Sequence, residues 1–94
     1  MDVFYDPAKA GQFLNRPVVA LGNFDGVHLG HRRVFRTAMK LAEKKQKPWA
    51  VVTFAPHPAK VLAPDLAPQL ITTLKNRLRL IAESGPAATV VLNF

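Results

Sequence analysis

The chain of 94 residues carries 13 Lys and Arg against 6 Asp and Glu, a net charge of +7; the length allows one domain at most, and the basic balance favours anionic partners such as nucleic acid, a membrane surface or a polyphosphate. Hydrophobic residues make up 49%, which excludes a disordered chain, yet no apolar run approaches the roughly 18 residues of a membrane span. Cysteine is absent, which excludes disulfides and thiolate metal sites, and no basic start followed by an apolar stretch marks a signal peptide, so the cytoplasm is the default expectation.

Residues 1–16 are mixed and suggest no more than a short strand and a turn. Val18-Val19-Ala20-Leu21-Gly22 is an unalternating apolar run, as expected of a strand buried on both faces. It enters the turn-rich stretch Asn23-Phe24-Asp25-Gly26. From about Gly30 to Lys45 the period changes: Val34, Phe35, Ala38, Met39, Leu41 and Ala42 form an apolar stripe, with Arg32, Arg33, Arg36, Lys40 and Lys44 mostly off it. That pattern predicts an amphipathic helix, and Lys44-Lys45-x-Lys47 suits its C-terminal end, where cations offset the dipole.

Pro48 stops this helix and opens a second buried strand, Trp49 to Phe54. Ala55-Pro56-His57-Pro58 is a loop with two fixed φ angles. Between 59 and 70, Pro64 and Pro68 leave room for a short helical turn at most. Thr72 or Thr73 can cap a further helix with Leu74, Leu78, Ile81 and Ala82 on its apolar face. Gly85-Pro86 ends it, and Thr89 to Phe94 is the third strand. The order β-α-β-α-β predicts an α/β fold on a parallel sheet. A last strand left at the border of that sheet would be an unpaired apolar edge, and the 94 residues are expected to belong to a longer protein.

The chemistry gathers where the first of these strands meets the first helix, in Leu21-Gly22-Asn23-Phe24-Asp25-Gly26-Val27-His28-Leu29-Gly30-His31. Ligands of open α/β sheets lie beyond the carboxyl ends of the strands. Free N–H groups and the dipole at a helix start attract phosphate. His28 and His31, three apart, can face one side and donate hydrogen bonds to phosphate oxygens. Gly30 between them leaves room for a nucleotide against the backbone, and Gly22 and Gly26 permit a tight turn. Such a site suits phosphoryl or nucleotidyl transfer, in which a phosphate of the second substrate attacks and no enzyme nucleophile is needed. Positioning and charge stabilisation do most of that catalysis.

Gly22-Asn23-Phe24-Asp25-Gly26-Val27-His28-Leu29-Gly30-His31 resembles the signature of the bacterial bifunctional riboflavin kinase/FMN adenylyltransferases, also called FAD synthetases. Thr53-Phe54-Ala55-Pro56-His57-Pro58 resembles their second signature, and Ile71-Thr72-Thr73-Leu74 with the basic helix after it a third; order and spacing agree from Val18 to Phe94. The resemblance implies a Rossmann-like nucleotidyltransferase fold and the reaction of ATP with FMN to give FAD and pyrophosphate, with Mg2+. It implies that His28 and His31 hold the ATP phosphates and stabilise charge at the α-phosphorus, while Gly22, Asn23, Phe24 and Gly30 shape the nucleotide cradle. Asp25 would orient the turn or help place the metal, whose ligands stay unassigned, and Pro56, His57 and Pro58 would lie toward the flavin or the phosphates. The family's later Ile-Ser-Ser-Thr-x-x-Arg-like motif and its kinase domain are not within these residues, so 1–94 is expected to be the N-terminal portion of the adenylyltransferase domain.

Two alternatives stand beside this expectation. Cytidylyltransferases and pantetheine-phosphate adenylyltransferases share the His-x-Gly-His turn, though not usually the Thr-Phe-x-Pro-His-Pro loop. A non-catalytic basic module binding nucleotide or nucleic acid would use the +7 charge, but the scattered cations and lack of interleaved aromatics argue against nucleic acid. Without the resemblance, His57 between prolines is a rigid turn, Phe35 and Trp49 are core, and Arg32, Arg33, Lys75, Arg77 and Arg79 are solvated helix faces. Thr53 meets a ligand or a backbone group. Expected partners are ATP and FMN or FAD, the remainder of a longer chain or a second copy, and no membrane.

Overall fold

The computed structural model describes residues 1–24, 29–55 and 73–93. Four strands, β1 (Asp2–Phe4), β2 (Val18–Leu21), β3 (Trp49–Ala55) and β4 (Ala88–Asn93), alternate with helices α1 (Pro7–Phe13), α2 (Leu29–Lys45) and α3 (Leu74–Glu83). All pairings are parallel, in the order β1-β4-β3-β2. The expected α/β fold with its β-α-β-α-β run is present, preceded by one strand and one helix.

That preceding helix departs from the expected turn. Asp6 caps α1 by accepting from the Ala8 N–H at 2.9 Å, and Pro7 fills the first helical position, where its missing N–H would have had no intrahelical partner. A second departure concerns the last strand. β4 lies inside the sheet, with β1 on one side and β3 on the other, so the borders are β1 and β2.

β3 shows why its sequence does not alternate in polarity. Trp49, Val51 and Thr53 face α2 and α3, whereas Ala50 and Val52 face α1. Both faces are covered, which requires small or apolar side chains at every position. The larger core joins Ala20, Phe24, Phe35, Ala38, Ala42, Trp49, Val51 and Ile81; the smaller joins Leu14, Ala50 and Ala88 beneath α1. On α2 the buried stripe is narrower than expected: Phe35, Ala38 and Ala42 are buried, while Val34, Met39 and Leu41 are exposed.

α2 ends where Pro48 and the lysines predict, and it does so in a Schellman motif. Lys47 N–H donates to Ala42 O at 2.9 Å and Gln46 N–H to Glu43 O at 3.2 Å, with Gln46 in the left-handed region at φ 54°. Of the two candidate caps for α3, Thr73 accepts from the Asn76 N–H at 3.2 Å; Thr72 lies outside the described residues. Among the described residues no helix is long and apolar enough to cross a membrane.

Candidate active site

Three short steps of chain carry β2 toward α2, and each is tied down. Gly22 N–H donates to Val52 O at 3.1 Å, extending the parallel ladder one residue past β2. Asn23 O accepts from two donors, Thr53 Oγ1 at 2.9 Å and Arg77 Nη1 at 2.9 Å. Phe24 then takes the left-handed conformation with φ 54° and is buried in the core, 2% exposed. A Cβ on Gly22 would come within 3.0 Å of that ring, so the glycine is required by close approach.

Phe24 links the turn to α2 and the core. Its ring meets His31 edge-on at 5.1 Å and Phe35 at 4.7 Å, and Phe35 meets Trp49 at 5.8 Å. Edge-to-face and tilted pairs at these distances are favourable. The imidazole of His31, half-buried in the first turn of α2, is thereby oriented by a side chain that leaves the preceding turn. Gly30, one residue earlier, is exposed, and a Cβ there would meet nothing within 4 Å. The open space beside Gly30 therefore continues as a hollow bounded by Arg32, Arg33 and Arg36.

The structure thus brings together Gly22, Asn23, Phe24, Gly30 and His31 at the carboxyl end of β2. Asp25 and His28 lie outside the described residues, as do Pro56, His57 and Pro58. Phe24 supports the turn from beneath, since its ring is buried. Asn23 Oδ1 is buried without a hydrogen-bond partner among the described residues, a polar atom at the turn still able to accept. Thr53 meets a backbone group, one of its two expected roles, and is fully buried.

Arg77 was missed. It was expected on a solvated face, yet it is 5% exposed and its guanidinium joins the turn after β2 to β3: Nη1 to Asn23 O and Nη2 to Phe54 O at 2.8 Å. Ala82, expected on the apolar face of α3, is exposed instead. The signal was present in the spacing. Leu74, Arg77, Leu78 and Ile81 stand at i, i+3, i+4 and i+7, so the arginine occupies a core-facing position. Arg79, by contrast, is exposed and pairs loosely with Glu83 at 3.5 Å.

Among the described residues no group of three His, Cys, Asp or Glu side chains could hold a metal ion.

The FAD synthetase family model matches residues 11–94. The bifunctional riboflavin kinase/FMN adenylyltransferase of Bacillus subtilis is 46% identical over 80 residues, covering 84% of this chain and 25% of that protein. Its namesake in Escherichia coli K12 is 38% identical over 77 residues, covering 82% and 25%. The chain therefore spans about a quarter of the length of these relatives. The crystal structure of a macrolide-efflux protein from Streptococcus pneumoniae superposes with a TM-score of 0.71 at 38% identity, covering 83% of this chain and 27% of that one. The fold is accordingly the Rossmann-like nucleotidyltransferase type, and with 84% of its sequence aligned to such a relative the chain belongs to the FAD synthetase family.

Proposed function

We propose that this chain is the front portion of an adenylyltransferase domain that transfers AMP from ATP to FMN. A phosphate oxygen of FMN attacks the α-phosphorus of ATP. The bond from that phosphorus to the oxygen bridging it to the β-phosphorus breaks, and pyrophosphate leaves with that oxygen. The observation that carries the reading is the placement of Gly30 and His31 in the first turn of α2, just beyond the carboxyl end of β2. The helix start offers N–H groups to phosphate and the open face of Gly30 admits it. His31 is assigned to the charge that develops at the α-phosphorus; His28 shares that role, Asp25 orients the turn or helps place the metal, and Pro56, His57 and Pro58 lie toward the flavin or the phosphates. Magnesium would arrive with the triphosphate, as it usually does, rather than on a dedicated protein cage. A cytoplasmic setting is part of the same proposal.

The test is FAD formation from FMN and ATP by the intact protein. His31→Ala is expected to lower kcat about 100-fold, the usual loss for one donor to a developing negative charge, with a much smaller change in ATP affinity. An unchanged kcat with weaker ATP binding contradicts the role given to His31. CTP used in preference to ATP would move the protein to the cytidylyltransferase type. A second reading, nucleic-acid binding without turnover, draws on the +7 charge and on exposed Arg32, Arg33 and Arg36. It requires nucleic-acid affinity that falls steeply with salt.

A further inference from the structure

We infer that Arg77 is a positioning residue for the nucleotide turn, acting through the backbone carbonyl of Asn23. The inference rests on the adenylyl-transfer reading for its functional half and on geometry alone for its structural half. Arg77 comes from α3, 54 residues along the chain from Asn23. Its planar fork joins the chain leaving β2 to the end of β3, through Asn23 O at 2.9 Å and Phe54 O at 2.8 Å. Charged donors make the stronger class of hydrogen bond, and a fork fixes direction as well as distance.

Position makes this more than a packing contact. Asn23 is the last residue before Phe24 turns left-handed, and Phe24 is the residue that meets His31. A shift of the Asn23 carbonyl is passed through Phe24 to the imidazole. Thr53 Oγ1 supplies a second donor to the same oxygen, so the carbonyl is held from β3 and from α3 together. A buried guanidinium is an expensive way to cap two strands unless its direction matters, since losing one partner of a buried charged group is strongly destabilising.

The experiment uses the intact protein with Arg77→Met, Arg77→Gln and Arg77→Lys. Two quantities are read: amide hydrogen exchange over residues 21–24, where the Gly22 N–H is bonded to Val52 O, and the dissociation constant for ATP. Arg77→Met, which keeps the stem and removes all donors, is expected to speed that exchange and weaken ATP by about tenfold or more, the scale of a lost charged hydrogen bond. The amides of β1 and β4 should keep their rates, which a general loss of stability would not allow. Arg77→Gln and Arg77→Lys, which each keep a single donor nitrogen but not the two-armed fork, should fall between, at about threefold. Wild-type exchange and ATP affinity in folded Arg77→Met overturns the inference; where that variant does not fold, Arg77→Gln decides by the same criterion. If the wild-type protein makes no FAD while exchange over 21–24 still responds, adenylyl transfer falls and the staple stands.

Discussion

Phe24 holds an uncomfortable backbone. A bulky residue at φ 54° sits in a region that costs an L-residue about 1–2 kcal/mol, and the surroundings must over-determine it. They do so by burying its ring between Gly22, His31 and Phe35. Gly22 is therefore the sensitive partner. In Gly22→Ala the new methyl would stand 3.0–3.3 Å from three atoms of the Phe24 ring, and the ring, being enclosed, cannot simply swing away. The expected outcome is a loss of about 1–3 kcal/mol in stability, the usual scale of overpacking, with weaker ATP binding because the displaced ring carries His31 with it. Urea unfolding and ATP titration check both; wild-type values in both would show that the ring has room. The sequence made Gly22 legible as a turn glycine, but its reason is the ring two residues later. No local pattern announces that an aromatic residue in a turn folds back into the core.

At the scale of elements, ends were easier to read than faces. Pro48 and the lysines located the end of α2, and Gly85-Pro86 that of α3, because capping is local chemistry between neighbours in sequence. The buried face of α3 was misjudged for the opposite reason: the partners of Arg77 are 23 and 54 residues away, and a charged residue defaults to solvent unless those partners are known. Helix α1 was missed although Asp6-Pro7 is a helix-start signal, since its seven residues are too few to show a period. The two C-terminal caps make opposite predictions. Gln46 occupies the left-handed position of a Schellman motif that glycine usually fills. Gln46→Gly is expected to stabilise the chain by about 0.5–1 kcal/mol and Gly85→Ala, at φ 89°, to destabilise it by about 1 kcal/mol. Thermal unfolding of the pair reads both signs in one experiment, and equal shifts in one direction would mean that backbone conformation does not dominate at these caps.

At the scale of the whole molecule, the two faces of the sheet are covered unequally by the described residues. Among the described residues, helices α2 and α3 close one face of the sheet over the larger core, while the other carries α1 and an apolar hollow of about 300 Å³ whose lining includes Leu14, Val19, Val52, Val90 and Leu92. Apolar runs in β2, β3 and β4 announced a sheet buried on both sides, and the parallel arrangement followed from the alternation with helices. What hydropathy could not show was which side is thinly covered, because it records that a strand is apolar and not what lies over it. Strand order was equally hidden: β1, three residues long, is what places β4 in the interior, through the pairing of Asp2, Val3 and Phe4 with Ala88, Thr89 and Val90. Adjacent valines of β3 measure the asymmetry directly. Val51 is fully buried under α2 and α3, while Val52 faces the hollow and is half-buried. Exchanging a methyl for a hydroxyl leaves size unchanged and adds a polar group, which costs about 1–3 kcal/mol where no partner or water reaches it and little where water does. Val51→Thr should therefore destabilise the 94-residue chain by that amount and Val52→Thr by less than about 0.5 kcal/mol, measured by urea unfolding. Equal losses at both positions would mean that the α1 side is as dry as the other. A Val52→Thr penalty that rises only in a longer form of the protein would place the covering in the residues added.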